Sequence, residues 1–279
     1  MEEKTSANIV EQSLEHPIKY AIMLTKEVYS LNKGFFWGIT ALIIVLAILS
    51  NIQIVGLVAS VVSGILMFAL FLFTGKVFDT SSTMDMFVKE IESISISKLW
   101  NDYWKPALGA YLGWVIVVIA LIILTTITFS LTGGTSLLMQ DEPLASNLTL
   151  LLPPMILPLI ILSLILYVIP LVFANTIRTD TFEDAFKSVF TLFQGTLWRR
   201  AFTGGYFKYM AAIGLVLIAL IVGVSVASGL LVTLLGAIDP TMIYIGMILM
   251  VIVMVIFQVI INVFYAITAI IADRIATEQ

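Results

Sequence analysis

Six long apolar stretches dominate this chain and restrict it to folds that a lipid bilayer can surround. A helix needs about 20 residues to cross a hydrocarbon core roughly 30 Å thick. Six stretches approach or exceed that length, and the segments between them are connectors. They predict an all-α polytopic membrane protein, a single integral membrane domain over residues 1–279, with spans at 34–49, 52–74, 107–131, 148–174, 209–237 and 242–272.

The composition agrees with a membrane-embedded chain. Hydrophobic residues make up 60% of the sequence, charged residues 11%, and the mean hydropathy is +1.09. A soluble globular domain usually carries about 25% charged residues, so that class is excluded. The absence of cysteine removes disulfides, thiolate catalysis and iron–sulfur clusters from consideration.

The basic residues predict the orientation of the chain. If the N-terminus is cytoplasmic, all 14 Lys and Arg residues fall in cytoplasmic segments. The outer loops then contain only the acids Asp141, Glu142 and Asp239. Because Lys and Arg near span ends set the orientation, we predict a plasma-membrane protein with both termini in the cytoplasm.

Two connectors carry amphipathic helical patterns. After span 4, Phe182, Phe186, Phe190 and Phe193 recur at helical spacing behind a capping-box-like start at Asp180. The connector after span 2 repeats this plan, and the N-terminal segment carries a looser copy. We therefore predict three units, each an interfacial helix followed by a membrane hairpin, with the helices lying at the inner leaflet.

Catalytic and metal-binding constellations are missing from the pattern. No Asp, Glu, Lys, Arg or His falls inside a predicted span, where proton-coupled pumps and many ion-coupled transporters place such groups. His16 is the single histidine of the chain and does not belong to a recognisable set of metal ligands. We predict a non-enzymatic protein that needs no cofactor or metal.

The charge balance of the cytoplasmic segments restricts the partners. Cytoplasmic acids number 15 against 14 bases, which argues against nucleic-acid binding and against strong attraction to anionic lipids.

A polar face inside the membrane is the main candidate site. Gln258 and Asn262 lie four residues apart on one face of span 6, and Ser225 and Ser228 are available on span 5. Such groups commonly join helices through hydrogen bonds. The alternative is a polar cavity for a small solute or a lipid headgroup.

Prolines and small residues mark further positions. Span 4 carries Pro158 and Pro170 in its interior, where each deletes an N–H donor, so a kink or a gating hinge is expected. Gly56, Ser60 and Gly64 form a stripe of small residues in span 2 that favours close helix packing. The tripeptide that begins at Asn147 matches a glycosylation acceptor, which we interpret as chance.

The run from Ala185 to Arg199 resembles a known signature. Ala185, Ser188, Leu192, Gly195 and Trp198 stand at positions that resemble the Ala, Ser, Leu, Gly and Trp signature after span 4 in a group of prokaryotic six-helix membrane proteins. That group includes domain of unknown function 4013 and the membrane domain attached to some glycerophosphodiester phosphodiesterases. The resemblance implies a membrane domain of undefined role. The small residues of the signature fall on one helical stripe, which predicts a packing surface for a neighbouring span.

Three functions fit these observations unequally. The first is a non-catalytic module that scaffolds or interacts with membrane lipids or other membrane proteins at the inner leaflet. The second is a permease-like transport subunit working with a separate ATPase. The third is a lipid-directed enzyme using Asp180, Glu183 and Asp184, but helix capping explains that acidic cluster better.

The charge asymmetry yields a direct test of topology. Cysteines introduced as Q140C and K187C into this cysteine-free chain should react from opposite sides of the membrane, because the two positions lie in segments predicted to be external and cytoplasmic. An impermeant maleimide applied to intact cells should label only the first. Labelling of both positions would contradict the orientation.

Overall fold

The structure is a computed structural model that describes residues 9–133, 148–239 and 241–278, the side chains of 148–152 excepted. Every regular element in these ranges is helical, which confirms the predicted all-α class. Asn147 and the outer acids Asp141 and Glu142 lie outside the described residues. The α-helices in the described ranges are α1 Ile9–Glu15, α2 Pro17–Leu31, α3 Lys33–Leu49, α4 Gln53–Thr80, α5 Met84–Ser93, α6 Ile96–Leu131, α7 Leu148–Ile177, α8 Phe182–Val189, α9 Gly195–Ala201, α10 Gly204–Ile238 and α11 Met242–Thr277. A short 3₁₀ turn, Phe190–Phe193, follows α8.

Five of the described helices are long and apolar enough to cross a membrane: α4, α6, α7, α10 and α11. The first predicted span differs. Its helix, α3, has 17 residues and a length of about 26 Å, which is short for a full crossing. It qualifies only together with α2, from which it bends by 94°. The chain is therefore a multi-pass helical protein with five or six candidate spans.

Asn32 fixes the bend between α2 and α3. Its Oδ1 accepts a hydrogen bond from the Phe35 amide at 3.1 Å and so caps the start of α3. Its Nδ2 donates to the carbonyl oxygens of Ile91 and Ile94 at 3.1 and 3.0 Å, at the end of α5. One side chain thus satisfies free backbone groups of two helices and ties the N-terminal segment to the connector after α4.

α11 is longer than a hydrocarbon core is thick, and its C-terminal segment is buried in protein. α11 has 36 residues, about 54 Å, against a hydrocarbon core of roughly 30 Å. Its exposed apolar side chains run from Ile243 to Ile260, whereas the segment from Val263 to Asp273 is almost wholly buried. The predicted span 242–272 thus combines an outward-facing apolar segment with a segment that is buried in protein. Hydropathy cannot separate burial in lipid from burial in protein, since both favour apolar residues.

The buried core lies at one end of the bundle, where α4, α7 and α11 converge and finish. We call this the charged end, because Asp79, Arg178 and Asp273 lie there. The other end, where α3 meets α4 and α10 meets α11, is called the opposite end. The rings of Phe71, Phe173 and Tyr265 meet where the three helices converge, with centroids 4.8 Å apart for Phe71 and Phe173 and 5.6 Å apart for Phe173 and Tyr265. The helices α4, α7 and α11 are the second helices of the three predicted hairpins.

The apolar face of α8 packs on α6 through glycines. A Cβ atom added at Gly109 would lie 2.2 Å from the Phe182 carbonyl oxygen, and one at Gly113 would lie 2.9 Å from a Val189 methyl group. The backbones of the two helices therefore touch at these points. Phe186 and Phe190 stay half-buried at the edge of the contact. That these rings rest on the bilayer surface remains a prediction.

The prolines of span 4 do not interrupt it. α7 runs as one helix through Pro158 and Pro170. Pro170 is buried and deprives its own helix of an N–H donor. One turn earlier, the Tyr167 carbonyl accepts a hydrogen bond from the Tyr206 hydroxyl at 2.6 Å. The carbonyl that Pro170 leaves without its N–H partner is that of Leu166, so the Tyr206 hydroxyl bonds the backbone one residue beyond the gap.

The glycine contact yields a stability test. G109A should destabilise the protein by about 1–3 kcal/mol, because the added methyl group would force α8 away from α6. G223A in α10 is the matched control: its methyl group meets nothing within 4 Å, so alanine should stabilise by about 0.5–1 kcal/mol. Unfolding titrations in mixed detergent micelles measure both. Equal effects for the two variants would contradict the α6–α8 contact.

Candidate functional site

A cavity of about 540 Å³ lies between α3, α4, α6, α7 and α11. Its aromatic floor includes Tyr111 together with the converging rings of Phe71, Phe173 and Tyr265. A Cβ atom at Gly64 would lie 2.4 Å from the Tyr111 ring, so only glycine lets that ring reach the floor. The floor thus closes the cavity toward the charged end.

The polar lining of the cavity is uncharged. Ser60 and Ser63 come from α4, and Gln258 and Asn262 from α11. The Asn262 Oδ1 atom is buried and has no hydrogen-bond partner within the described part of the chain. Gln258 stands one turn away and is exposed. An unmet buried acceptor costs about 1–3 kcal/mol, so a donor that reached this oxygen through a small movement of the side chain would stabilise the site.

The structure brings together only half of the predicted polar face. Gln258 and Asn262 line the same cavity, as their spacing predicted. Ser225 is exposed on α10, away from the cavity lining, and Ser228 is buried without a partner for its hydroxyl in the described residues. The other polar wall comes instead from Ser60 and Ser63. Sequence reasoning assigned Ser60 to a packing stripe and overlooked Ser63.

Below the cavity, at the charged end, five side chains form an ion cluster: Asp79, Arg178, Arg200, Asp273 and Arg274. The Arg178 guanidinium donates to Asp79 through Nε at 2.8 Å and to Asp273 through Nη1 at 2.7 Å. Arg274 donates to Asp79 at 3.2 Å, and Arg200 bonds the second oxygen of Asp273. The cluster therefore joins the ends of α4, α7, α9 and α11.

The ion cluster is partly withdrawn from water. The Asp273 side chain is 5% exposed and the Asp79 side chain 11%. The hydrogen bond to Asp79 raises the pKa of the Arg178 guanidinium further above its usual range. Burial acts in the opposite direction, and the hydrogen bond and negative charge of Asp273 add to the increase. Each buried carboxylate has two arginine partners, so burial leaves neither charge unpaired. Sequence reasoning treated these residues as parts of separate cytoplasmic segments, because nothing in the chain order indicates that they meet.

The signature residues after α7 serve packing inside the protein. Ala185, Ser188 and Leu192 are buried, as their stripe predicted, and the Ser188 hydroxyl shares a 2.8 Å hydrogen bond with Thr176 of α7. The Trp198 indole donates to the Leu192 carbonyl at 2.7 Å. Gly195 departs from the prediction: it is exposed, and a Cβ atom there would meet nothing within 4 Å.

Comparisons with known proteins found no matching family model, no similar curated protein and no similar solved structure. The cavity and the ion cluster therefore have to be interpreted from their own chemistry. Within the described ranges, no group of three or more His, Cys, Asp or Glu side chains could hold a metal ion.

The ion cluster yields a stability test. D273N should destabilise the protein by about 3 kcal/mol, since it leaves Arg178 and Arg200 without their shared carboxylate. We take the lower end of the usual range because both arginine side chains keep about a third of their surface in solvent. D102N, at an exposed aspartate of α6, is the control and should change stability by less than about 0.5 kcal/mol. A similar midpoint for both variants in a denaturation series would contradict the structural role of the cluster.

Proposed function

We propose that this protein is a non-catalytic integral membrane module that binds an uncharged amphiphile in the cavity between α3, α4 and α11. The bound molecule would place a hydroxyl or amide group at Asn262 and its apolar part against the aromatic floor. With the orientation predicted from the basic residues, the charged end faces the cytoplasm and the floor lies toward the inner leaflet. This function needs no cofactor or metal.

The observation that carries the proposal is a cavity without charged lining residues, whose wall includes the Asn262 side chain with its unpaired oxygen. A ligand with a formal charge would lose its hydration there without gaining an ionic partner. A neutral hydroxyl can donate to Asn262 and accept from the Gln258 amide. Ligand pockets are typically apolar with a few such polar groups, and a volume of about 540 Å³ falls in their usual range.

A permease-like transport subunit working with a separate ATPase is the second candidate. It is supported by the asymmetry of the bundle, whose second helices converge at the charged end and leave their other halves apolar and exposed. A solute path would need that end to open. The ion cluster opposes such opening, so we place this function second. We also propose kinship with the six-helix group that the Ala185–Arg199 run resembles, and interaction with other membrane proteins.

Leucine substitutions at the two amides separate these proposals. Delipidated protein should gain thermal stability from dioleoylglycerol, because a ligand that binds the native state stabilises it. In Q258L/N262L the apparent affinity should fall about tenfold or more, the equivalent of one or two hydrogen bonds, while folding costs only about 0.6 kcal/mol per lost bond. S225L, a polar position outside the cavity lining, should keep the affinity of the parent.

Each outcome of this experiment has a defined meaning. An unchanged response to dioleoylglycerol in the folded double variant would overturn amphiphile binding at Asn262. Loss of ATP-dependent solute flux in vesicles, with the same variant folded and inserted, would favour the transport subunit instead.

A further inference from the structure

A second recess, separate from the cavity, lies on the lipid-facing side of α7. It has a volume of about 600 Å³ and follows the α7 face from Ile156 to Tyr167. Phe202 and Phe207, from the junction of α9 and α10, close one end of it. Both rings are highly exposed, at 66% and 63%, although they are apolar. We call this recess the α7 groove.

The length of the α7 groove matches one leaflet. From Ile156 to Tyr167 the helix rises by about 16 Å, close to half of a hydrocarbon core roughly 30 Å thick. Its aromatic end lies near Trp198, whose ring is 6.2 Å from that of Phe202. Aromatic rings of this kind favour the headgroup level of a bilayer. The groove is therefore long enough to extend from the interface to about the middle of a bilayer.

Two basic residues are close in sequence to the aromatic end of the α7 groove. Arg199 precedes Phe202 by three residues and Lys208 directly follows Phe207, so both long side chains begin near this end, although neither lines the groove. Both are exposed, and neither forms an ion pair or a hydrogen bond with another described residue. The neighbouring Arg200 differs, because Asp273 neutralises it. An anionic group at this end would find two cations without partners.

We propose that the α7 groove binds an anionic phospholipid, with one acyl chain along α7 and the phosphate beside Arg199 and Lys208. The apolar groove accepts the chain of any lipid, and the two cations select a negative headgroup. The balanced charge of the connectors as a whole argues against general attraction to anionic lipids, so the preference arises from these two positions. Each basic side chain near an anionic surface contributes about 1 kcal/mol, a factor of roughly five in affinity.

Fluorescence quenching of Trp198 tests the proposal. The other tryptophans are replaced in W37F/W100F/W104F/W114F, and the protein is reconstituted into phosphatidylcholine vesicles. Acyl-brominated phosphatidylglycerol should quench Trp198 at a mole fraction about five- to thirtyfold lower than equally brominated phosphatidylcholine, as one or two cations would give. In R199Q/K208Q the two lipids should quench alike. K105Q, at an exposed lysine on α6, should keep the preference.

The acyl-chain part of the proposal has its own variant. S163F places a ring in the middle of the α7 groove and should weaken quenching by both lipids, while circular dichroism verifies that the helices persist. Equal quenching by both lipids in the parent, or a preference that survives in R199Q/K208Q, would overturn the proposal. Undiminished quenching in a folded S163F variant would also overturn it. None of these positions lines the Asn262 cavity, so the result is independent of amphiphile binding there.

Discussion

The convergence of three helices on one ion cluster is the constraint on which the rest of this structure depends. α4, α7 and α11 are each longer than a hydrocarbon core roughly 30 Å thick, and at their far ends Asp79, Arg178 and Asp273 come into contact. The two carboxylate side chains are 11% and 5% exposed, and removing a partner from a pair buried to that degree is costly. The ion pairs therefore hold the three ends in fixed positions, and the apolar segments just before them form the buried core.

The cavity follows from this convergence. Three helices that are held together at one end, with bulky rings at Phe71, Phe173 and Tyr265, leave space beyond the rings. Gly64 lets Tyr111 complete the floor, and α3 closes one side. The cavity thus has a rigid base and a wall from the short first hairpin. A ligand bound at Asn262 would contact the elements that the ion cluster holds in place.

Much of the architecture could be predicted from the sequence, because hydrophobic length and helix geometry decide it. The five long spans, the buried Ala185, Ser188 and Leu192 stripe, and the shared face of Gln258 and Asn262 all follow from local spacing. The first span stays a prediction, since α3 is short and qualifies as a span only together with α2, from which it bends at Asn32.

The features that escaped prediction depend on contacts between distant parts of the chain. Asp79 and Arg274 are 195 positions apart, and nothing local indicates that they pair. Ser225 and Ser228 lie on the same helix, but Ser225 is exposed and Ser228 is buried. The reason is that α10 packs mainly along α11 and presents most of its surface outward. Hydropathy also assigned the residues near the charged end to membrane spans, although the structure buries many of them in protein, because residues buried in protein are as apolar as residues buried in lipid.

The rate of disulfide formation between the ends of α4 and α7 tests most directly whether the ion cluster holds the three helices together. A Cβ atom at Gly75 would lie 2.8 Å from the Ile177 Cγ1 atom, so G75C/I177C should crosslink readily under mild oxidation in this cysteine-free chain. Adding R178Q, which removes the link between Asp79 and Asp273, should slow crosslinking several-fold. Equal rates with and without R178Q would contradict the account, because the helix ends would then stay together without the cluster.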